Sequence, residues 1–565
     1  MNSVLAPARV AKWRRALRSR ISLSPCLLVC LLLPLFFFQL GARDLVSSHE
    51  ARAAQNAQRM LDTGEWGLPT LFDGQRDLQK PPGFYWLVAA VGELNGGRVS
   101  PWVARLPAAA AAFATVLLVY AFLRREGYTT GALVAAVALA TANHFVAIGR
   151  TARIDVPLTC AVAVALVAFY RGCLQSGPLA PLAVAPRELE RTEHSDCDTA
   201  RAAPLAERAD HSEGNRARAT PWFLLSALAA GFAVLLKGPV GLALIGTVAV
   251  AFLVVERLAA PPNAPRAAEI AEASEARHAG ANGPRLPFSS AVLGVLVTAL
   301  VAVPWFVWAD RATDGEFVRV FFWHHNVSRF TGDSESLASH PWWYYGPRFA
   351  MAFLPWTLLA PLAVWAFRSG TWKHDRLFRF GMVWLVVMVG VLSASQFKRA
   401  DYLLPAFPGA AIALGCSAER WLASRERPRS VKRARWTFGA LVAGGLVVWP
   451  VMWFAIEPAE AARQEKRPFA AAIRTHAPAP QTILLFRTES HLLAYHLGTP
   501  LHTLVEWGEL KDALSAGGPH TVVMPPEFVG DAERITGRRL VPVASLKDFT
   551  TVDPHRPLVC LRTAD

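Results

Sequence analysis

The 565-residue chain (61.5 kDa) is 53% hydrophobic and only 18% charged, with mean hydropathy +0.28. A soluble protein carries about a quarter charged residues, so this deficit, with repeated apolar runs of spanning length, excludes a soluble multidomain enzyme and a disordered chain. The formal charge of +15 does not argue for nucleic acid, because much of the excess sits in short segments beside apolar runs, where basic residues set membrane orientation.

In chain order, Arg9, Lys12, Arg14, Arg15, Arg18 and Arg20 precede an apolar run over 21–40. No small-x-small cleavage site follows, so the run reads as a first transmembrane helix with a cytoplasmic N-terminus rather than a cleaved signal. Further spans are expected at 102–123, 131–148, 156–171, 221–236, 240–255, 288–309, 347–367, 378–395, 402–418 and 436–456, about eleven in all. Alternate threading puts the basic turns at 124–125, 373–379 and 420–435 on the cytoplasmic side. It also puts the Ala, Pro, Arg and Glu-rich inserts 175–220 and 258–287 there, and these read as flexible or disordered.

The segments 43–100, 150–155 and 310–346 then share the opposite, periplasmic face, joined there by the turns 237–239 and 396–401. Beyond the last span, 457–565 alternates strand-like and helical runs and is expected to form a small α/β domain outside the membrane. The seven cysteines make no disulfide framework, since most lie in or beside apolar runs.

The unusual polar chemistry gathers on that one face. His49-Glu50-Ala51-Arg52 places an imidazole, a carboxylate and a guanidinium within four residues of one another, suited to acid, base and anion-clamp roles. Lys80 stands before two prolines, a cation on a stiff backbone. Asp155, after Arg150 and Arg153 and before Pro157, reads locally as an N-cap, although a carboxylate at membrane depth usually has a purpose. His324, His325 and Arg329 stand among aromatics and are candidates for substrate or metal contact, while the adjacency of the two histidines lacks the spacing of a helical metal site.

Four stretches together resemble the superfamily C membrane glycosyltransferases of bacteria, in the branch of protein O-mannosyltransferases and aminoarabinose transferases. They are the first loop from His49 to Trp86, the Ala104–Pro107 and 153–157 segments, the third loop with the Trp342-to-Trp356 stretch, and the 395–415 stretch. The resemblance implies a polytopic helical membrane protein with a small C-terminal α/β domain. It implies an enzyme that moves a sugar from a polyprenyl-phosphate donor to a lipid, glycan or protein acceptor at the periplasmic face of the bacterial inner membrane.

In that correspondence His49-Glu50 occupies the position of an Asp-Glu pair, Arg52 the arginine after it, Lys80 the Lys-Pro-Pro lysine and Asp155 a later loop aspartate. Lys398, Arg399 and Tyr402 match a basic stretch that meets phosphate or headgroup. Glu50 and Asp155 are expected as the essential carboxylates, with Arg52 and Lys80 on the phosphate. The base role stays open among Glu50, Asp155 and a neutral His49. Two residues depart from the family pattern: His49 replaces the first acid, and Gln79 replaces the acid before Lys80. A divalent metal, which some members bind near this lysine, is left open. The alternatives are a flippase for a lipid-linked intermediate, which would carry ionisable groups near the bilayer midplane on broken helices, and a catalytically inactive relative.

Overall fold

The computed structural model describes residues 25–176, 205–259, 286–328, 340–425 and most of 436–564. Six of its helices are long and apolar enough to cross a membrane: Pro101–Arg125, Asp155–Gln175, Ala217–Lys237, Pro239–Ala259, Phe288–Ala312 and Arg376–Ala394. Two bent pairs raise the number to eight: Thr130–Thr141 with Asn143–Gly149 (61°), and Trp342–Ala352 with Trp356–Arg368 (98°). Both expected spans, 131–148 and 347–367, are therefore broken rather than straight. The other three anticipated spans are shorter or partly outside the described residues. Pro25–Phe37 covers 13 residues, Phe407–Ala423 covers 17 after a 3-10 stretch Ala400–Ala406, and 436–456 closes in a π-helix Met452–Ile456.

The insert 175–220 is not wholly irregular, since Leu205–Lys237 is helical throughout. Residues 177–204, and 260–285 of the second insert, lie outside the described residues.

Inside the bundle an aromatic cluster joins four spans: Phe122, Tyr170, Phe252 and Phe380 meet with ring centroids 4.8–6.2 Å apart. Such burial of large rings is what holds helices together once their outer faces meet lipid and apolar transfer no longer drives association. Close approach needs small residues. A Cβ on Gly131 would lie 2.6 Å from the Gly415 carbonyl oxygen, so this glycine pair lets two helices cross at backbone contact.

The C-terminal part folds as a five-stranded sheet. Its strands are β1 (Ile483–Phe486), β2 (Leu501–Leu504), β3 (Thr521–Met524), β4 (Leu540–Ser545) and β5 (Val559–Thr563), in the order β2-β1-β3-β5-β4. β1 pairs parallel with β2 and β3, while β5 runs antiparallel to β3 and β4. Helices cover both faces, and β1 and β3 read as uninterrupted buried runs (Ile-Leu-Leu-Phe and Thr-Val-Val-Met), as a doubly covered sheet requires. β2 and β4, shorter in apolar signal, were not separable in the sequence.

This domain sits on the first loop. Gln55 donates to the His491 carbonyl (2.8 Å), Tyr495 to the Val99 carbonyl (2.7 Å), and Thr503 to Asp73 (2.6 Å). His496 lies 2.7 Å from Asp44. Helix His491–Leu497 thereby buttresses helix Ser48–Thr63.

Candidate functional site

The first loop opens with helix Ser48–Thr63. Ser47 caps it by accepting from the Glu50 N–H, and Gly64, at φ 73°, ends it by donating to the Met60 carbonyl. The cap fixes Glu50 in the first turn, where it turns inward and is fully buried. Arg105, one turn into the span Pro101–Arg125, is equally buried and meets it at 2.8 and 3.3 Å. The guanidinium spends its remaining donors on the carbonyls of Leu40, Arg43 and Asp44. The Glu50 carboxylate also accepts from the backbone N–H of Val46 and Ala152, both at 3.0 Å.

Each Glu50 oxygen thus holds two donors. Burial pushes its pKa up, but Arg105, Arg43 and the Val46 N–H outweigh this and hold it below the usual range. No lone pair remains for an acceptor proton. The geometry makes Glu50, expected from the sequence as a catalytic carboxylate, a clamp joining the first loop to the 150–155 turn.

Arg52 is likewise occupied. It grips Asp77 through two bonds of 2.7 Å and donates to the Gln79 side-chain carbonyl at 2.7 Å. Asp77, buried, further accepts from Asn56 (2.9 Å) and Tyr85 (3.3 Å). This network fixes the 77–80 turn and presents Lys80. Arg52 thereby positions the segment that carries the lysine.

Asp155 is not an N-cap. It is the first residue of helix Asp155–Gln175, with no side-chain cap bond, and its carboxylate meets Lys237 and, at 3.7 Å, Arg153. Arg153 turns to Asp401, which also has His144 at 3.1 Å and Arg399 at 3.4 Å. Lys237 stands over the Tyr402 ring, 4.0 Å from its centroid. The next residue, Gly238, has φ 76°, and Phe321 from the third loop packs where its Cβ would be. One end of the bundle therefore draws together the first loop, the 150–155 turn, the 237–239 turn, the third loop and the 396–401 turn.

Arg399 remains 37% exposed at its side chain, open to the site. Lys398, expected at the phosphate, is buried and donates to the carbonyls of Ser395 and His340 (2.9 Å), so it ties the third loop to the 396–401 turn. His324 is exposed and His325 half-buried on a π-helix, Val318–Val327, held by stacking of Phe317 and Phe321. Arg329 lies outside the described residues.

His49 is exposed at the edge of this cluster, next to the clamped Glu50. Its pKa is pushed down to about 4, first by the protein packed around it and then by Arg153, Arg399 and Lys80, with Asp155 acting in the opposite sense. The ring is therefore neutral near pH 7.

Arg105, Lys237 and Asp401 were not singled out as site residues from sequence. The signal for the first two was present: a charged residue inside or between apolar spans is costly and seldom idle. Asp401 carried no such signal beside two basic neighbours.

A divalent cation does not fit these residues. The Gln79 oxygen already accepts from Arg52, and His49 faces cations. Among the described residues no three His, Cys, Asp or Glu side chains are grouped to hold a metal ion.

Residues 79–182 match the family model described as dolichyl-phosphate-mannose-protein mannosyltransferase. An undecaprenyl phosphate-alpha-4-amino-4-deoxy-L-arabinose arabinosyl transferase of Pseudomonas fluorescens is 27% identical over 383 residues, covering 67% of this chain and 57% of that one. The Pseudomonas aeruginosa transferase of the same name is 27% identical over 395 residues, 69% of this chain and 59% of its own. The matched part is thus less than two thirds of the relatives' length. Among solved structures, ArnT from Cupriavidus metallidurans bound to undecaprenyl phosphate superposes with a TM-score of 0.66 at 20% identity, covering 95% of this chain and 97% of that one. The oligosaccharyltransferase of Archaeoglobus fulgidus in its apo form gives 0.52 at 12% identity, covering 92% and 71%. These structural likenesses establish the fold.

Proposed function

We infer from this fold and these matches, which bear out the resemblance to superfamily C membrane glycosyltransferases, that the chain is a multi-pass membrane enzyme transferring a sugar from a polyprenyl-phosphate donor. The acceptor is a lipid, glycan or protein presented at the same membrane face, which we assign to the periplasmic side of the inner membrane. The observation that carries the reading is the charge balance of the cluster. Lys80, Arg153, Lys237 and Arg399 stand with two carboxylates, Asp155 and Asp401.

As the glycosidic bond lengthens, the anomeric carbon takes on oxocarbenium character and the polyprenyl phosphate leaves with the electron pair. Negative charge grows on the phosphate oxygens, and preorganised cations stabilise it without having to reorient. Asp155 and Asp401 hold Lys237 and Arg153 in place, and Lys80 and Arg399 are the cations we assign to the phosphate. A charged donor headgroup at a bilayer surface, with its prenyl chain in lipid, suits a site at the end of a helical bundle.

The test uses the full chain in proteoliposomes with radiolabelled undecaprenyl-phosphate aminoarabinose, the donor class named for the relatives, and a panel of envelope lipid, glycan and protein acceptors. Label should move to an acceptor with wild type and fall at least tenfold with Lys80→Ala. Translocation of the donor without transfer would overturn the enzyme reading. A tag within 310–346 that proved cytoplasmic would overturn the placement.

A further inference from the structure

We propose that His49 is the proton acceptor for the incoming acceptor hydroxyl, so that a neutral imidazole does the work that a carboxylate would do, and that Glu50 beside it serves only to position it. This rests on the glycosyl-transfer reading above and names the base of that same site.

The argument is one of occupancy. Glu50 has two donors on each oxygen and is fully buried. Asp155 is buried and committed to Lys237 and Arg153. Asp401 is shared by Arg153, Arg399 and His144. Asp77 is closed by Arg52, Asn56 and Tyr85. His49 alone among these groups is exposed to the site, and among the described residues no hydrogen bond engages its ring. Its backbone is fixed by the Ser47 cap on one side and the Glu50–Ala152 bond on the other, which places residue 49 against the 150–155 turn.

The groups facing it from every neighbouring segment are Lys80 from the first loop, Arg153 and Asp155 from the 150–155 turn, and Arg399 from the 396–401 turn. The protein packed around the ring, and then the three cations, keep the resting imidazole unprotonated and therefore able to accept.

In the transfer step the acceptor oxygen forms a bond to the anomeric carbon and the carbon–oxygen bond to polyprenyl phosphate breaks. The electron pair leaves on the phosphate, and the hydroxyl proton passes to the imidazole ring. The imidazolium forms as the phosphate charge grows, so the two new charges offset each other amid the cations. The proton then leaves to bulk water.

The experiment measures turnover and donor affinity separately in the full-length protein, for wild type, His49→Gln, His49→Ala and His49→Asp, with Lys80→Ala as control. Expected are unchanged donor affinity in His49→Gln with turnover lowered about 10²-fold or more, and His49→Asp within about tenfold of wild type, since an aspartate has an ordinary pKa of about 4. Added imidazole should restore part of the turnover of His49→Ala and none to Lys80→Ala, a rescue that a purely structural role would not produce. Wild-type turnover in His49→Gln would overturn the assignment, as would a loss fully explained by weaker donor binding. Absence of transfer by wild type on every donor would instead remove the underlying reading.

Discussion

The two polar ends of the bundle use the same ingredients and reach opposite outcomes. At the end away from the site, Asp375 is held by Tyr128, Arg420 and the Phe378 N–H. There Glu256 is gripped by Arg376 and Arg379, and Glu126 by Arg171. Every one of these arginines is matched to a carboxylate, and the network closes on itself. At the site end the Glu50–Arg105 and Arg52–Asp77 pairs are closed in the same way, but around them stand four cations against two carboxylates, with an open imidazole. Closed pairs fix backbone; a local excess of cations over carboxylates suits an anion. What separates the two networks is the balance of cations and carboxylates within each, and burial alone does not distinguish them.

This contrast can be broken or sharpened by substitution. The largest effect is expected at Glu50. Glu50→Gln leaves the Arg105 guanidinium buried without its counter-ion, a loss of about 3–5 kcal/mol. Melting of the purified protein should show it, with activity falling in step with the folded fraction. A variant that keeps its melting point and loses turnover would return Glu50 to the chemistry.

Glu256→Gln tests the other end. Two arginines lose a carboxylate that is itself buried, so a destabilisation of about 3 kcal/mol is expected. Turnover per folded molecule should be unchanged, and a specific loss of turnover would deny that this end is purely structural. Lys80→Ala and Arg399→Ala should do the reverse: melting within about 0.5 kcal/mol of wild type and turnover down about 10–10³-fold.

A smaller effect is expected from pH. An unperturbed imidazole titrates near about 6.5, whereas His49 is held down to about 4. Because its folded pKa is depressed, the neutral form persists as pH falls, and turnover should not decline with His49 protonation until pH approaches that value. A His49-dependent fall centred near about 6.5 would mean that the ring is neither packed against the protein nor faced by the cations. The smallest effect is expected where the C-terminal domain docks. Tyr495→Phe removes one hydrogen bond to the Val99 carbonyl, about 1 kcal/mol, and limited proteolysis of the 457–565 region should register it.

Much of this was legible from residue order, and the misreadings share one cause. Apolar runs announced the spans, and alternate threading with basic turns brought the polar segments to one end, because burying uncompensated charge in lipid is too costly to tolerate. The break in 131–148 was not legible, since Ala142 leaves the helix without proline or glycine to mark it. Within His49-Glu50-Ala51-Arg52 residue type alone leaves the base open among Glu50, His49 and the distant Asp155, and gives Arg52 to the phosphate, because residue type does not record which side chains are already bonded. Asp155 reads locally as a cap before Pro157 and, from the resemblance, as an essential carboxylate, and neither reading reveals its partner Lys237, which lies 82 residues away.

The sequence by itself determined a polytopic membrane bundle, the side on which its ionisable groups collect and the alternating helix and strand character of its terminal part, since hydropathy and charge act locally along the chain. Only the tertiary structure decided which of those groups are spent on one another. Pairing depends on residues far apart in the chain, Glu50 with Arg105 and Ala152, Arg153 with Asp401, and no periodicity records which lone pairs remain.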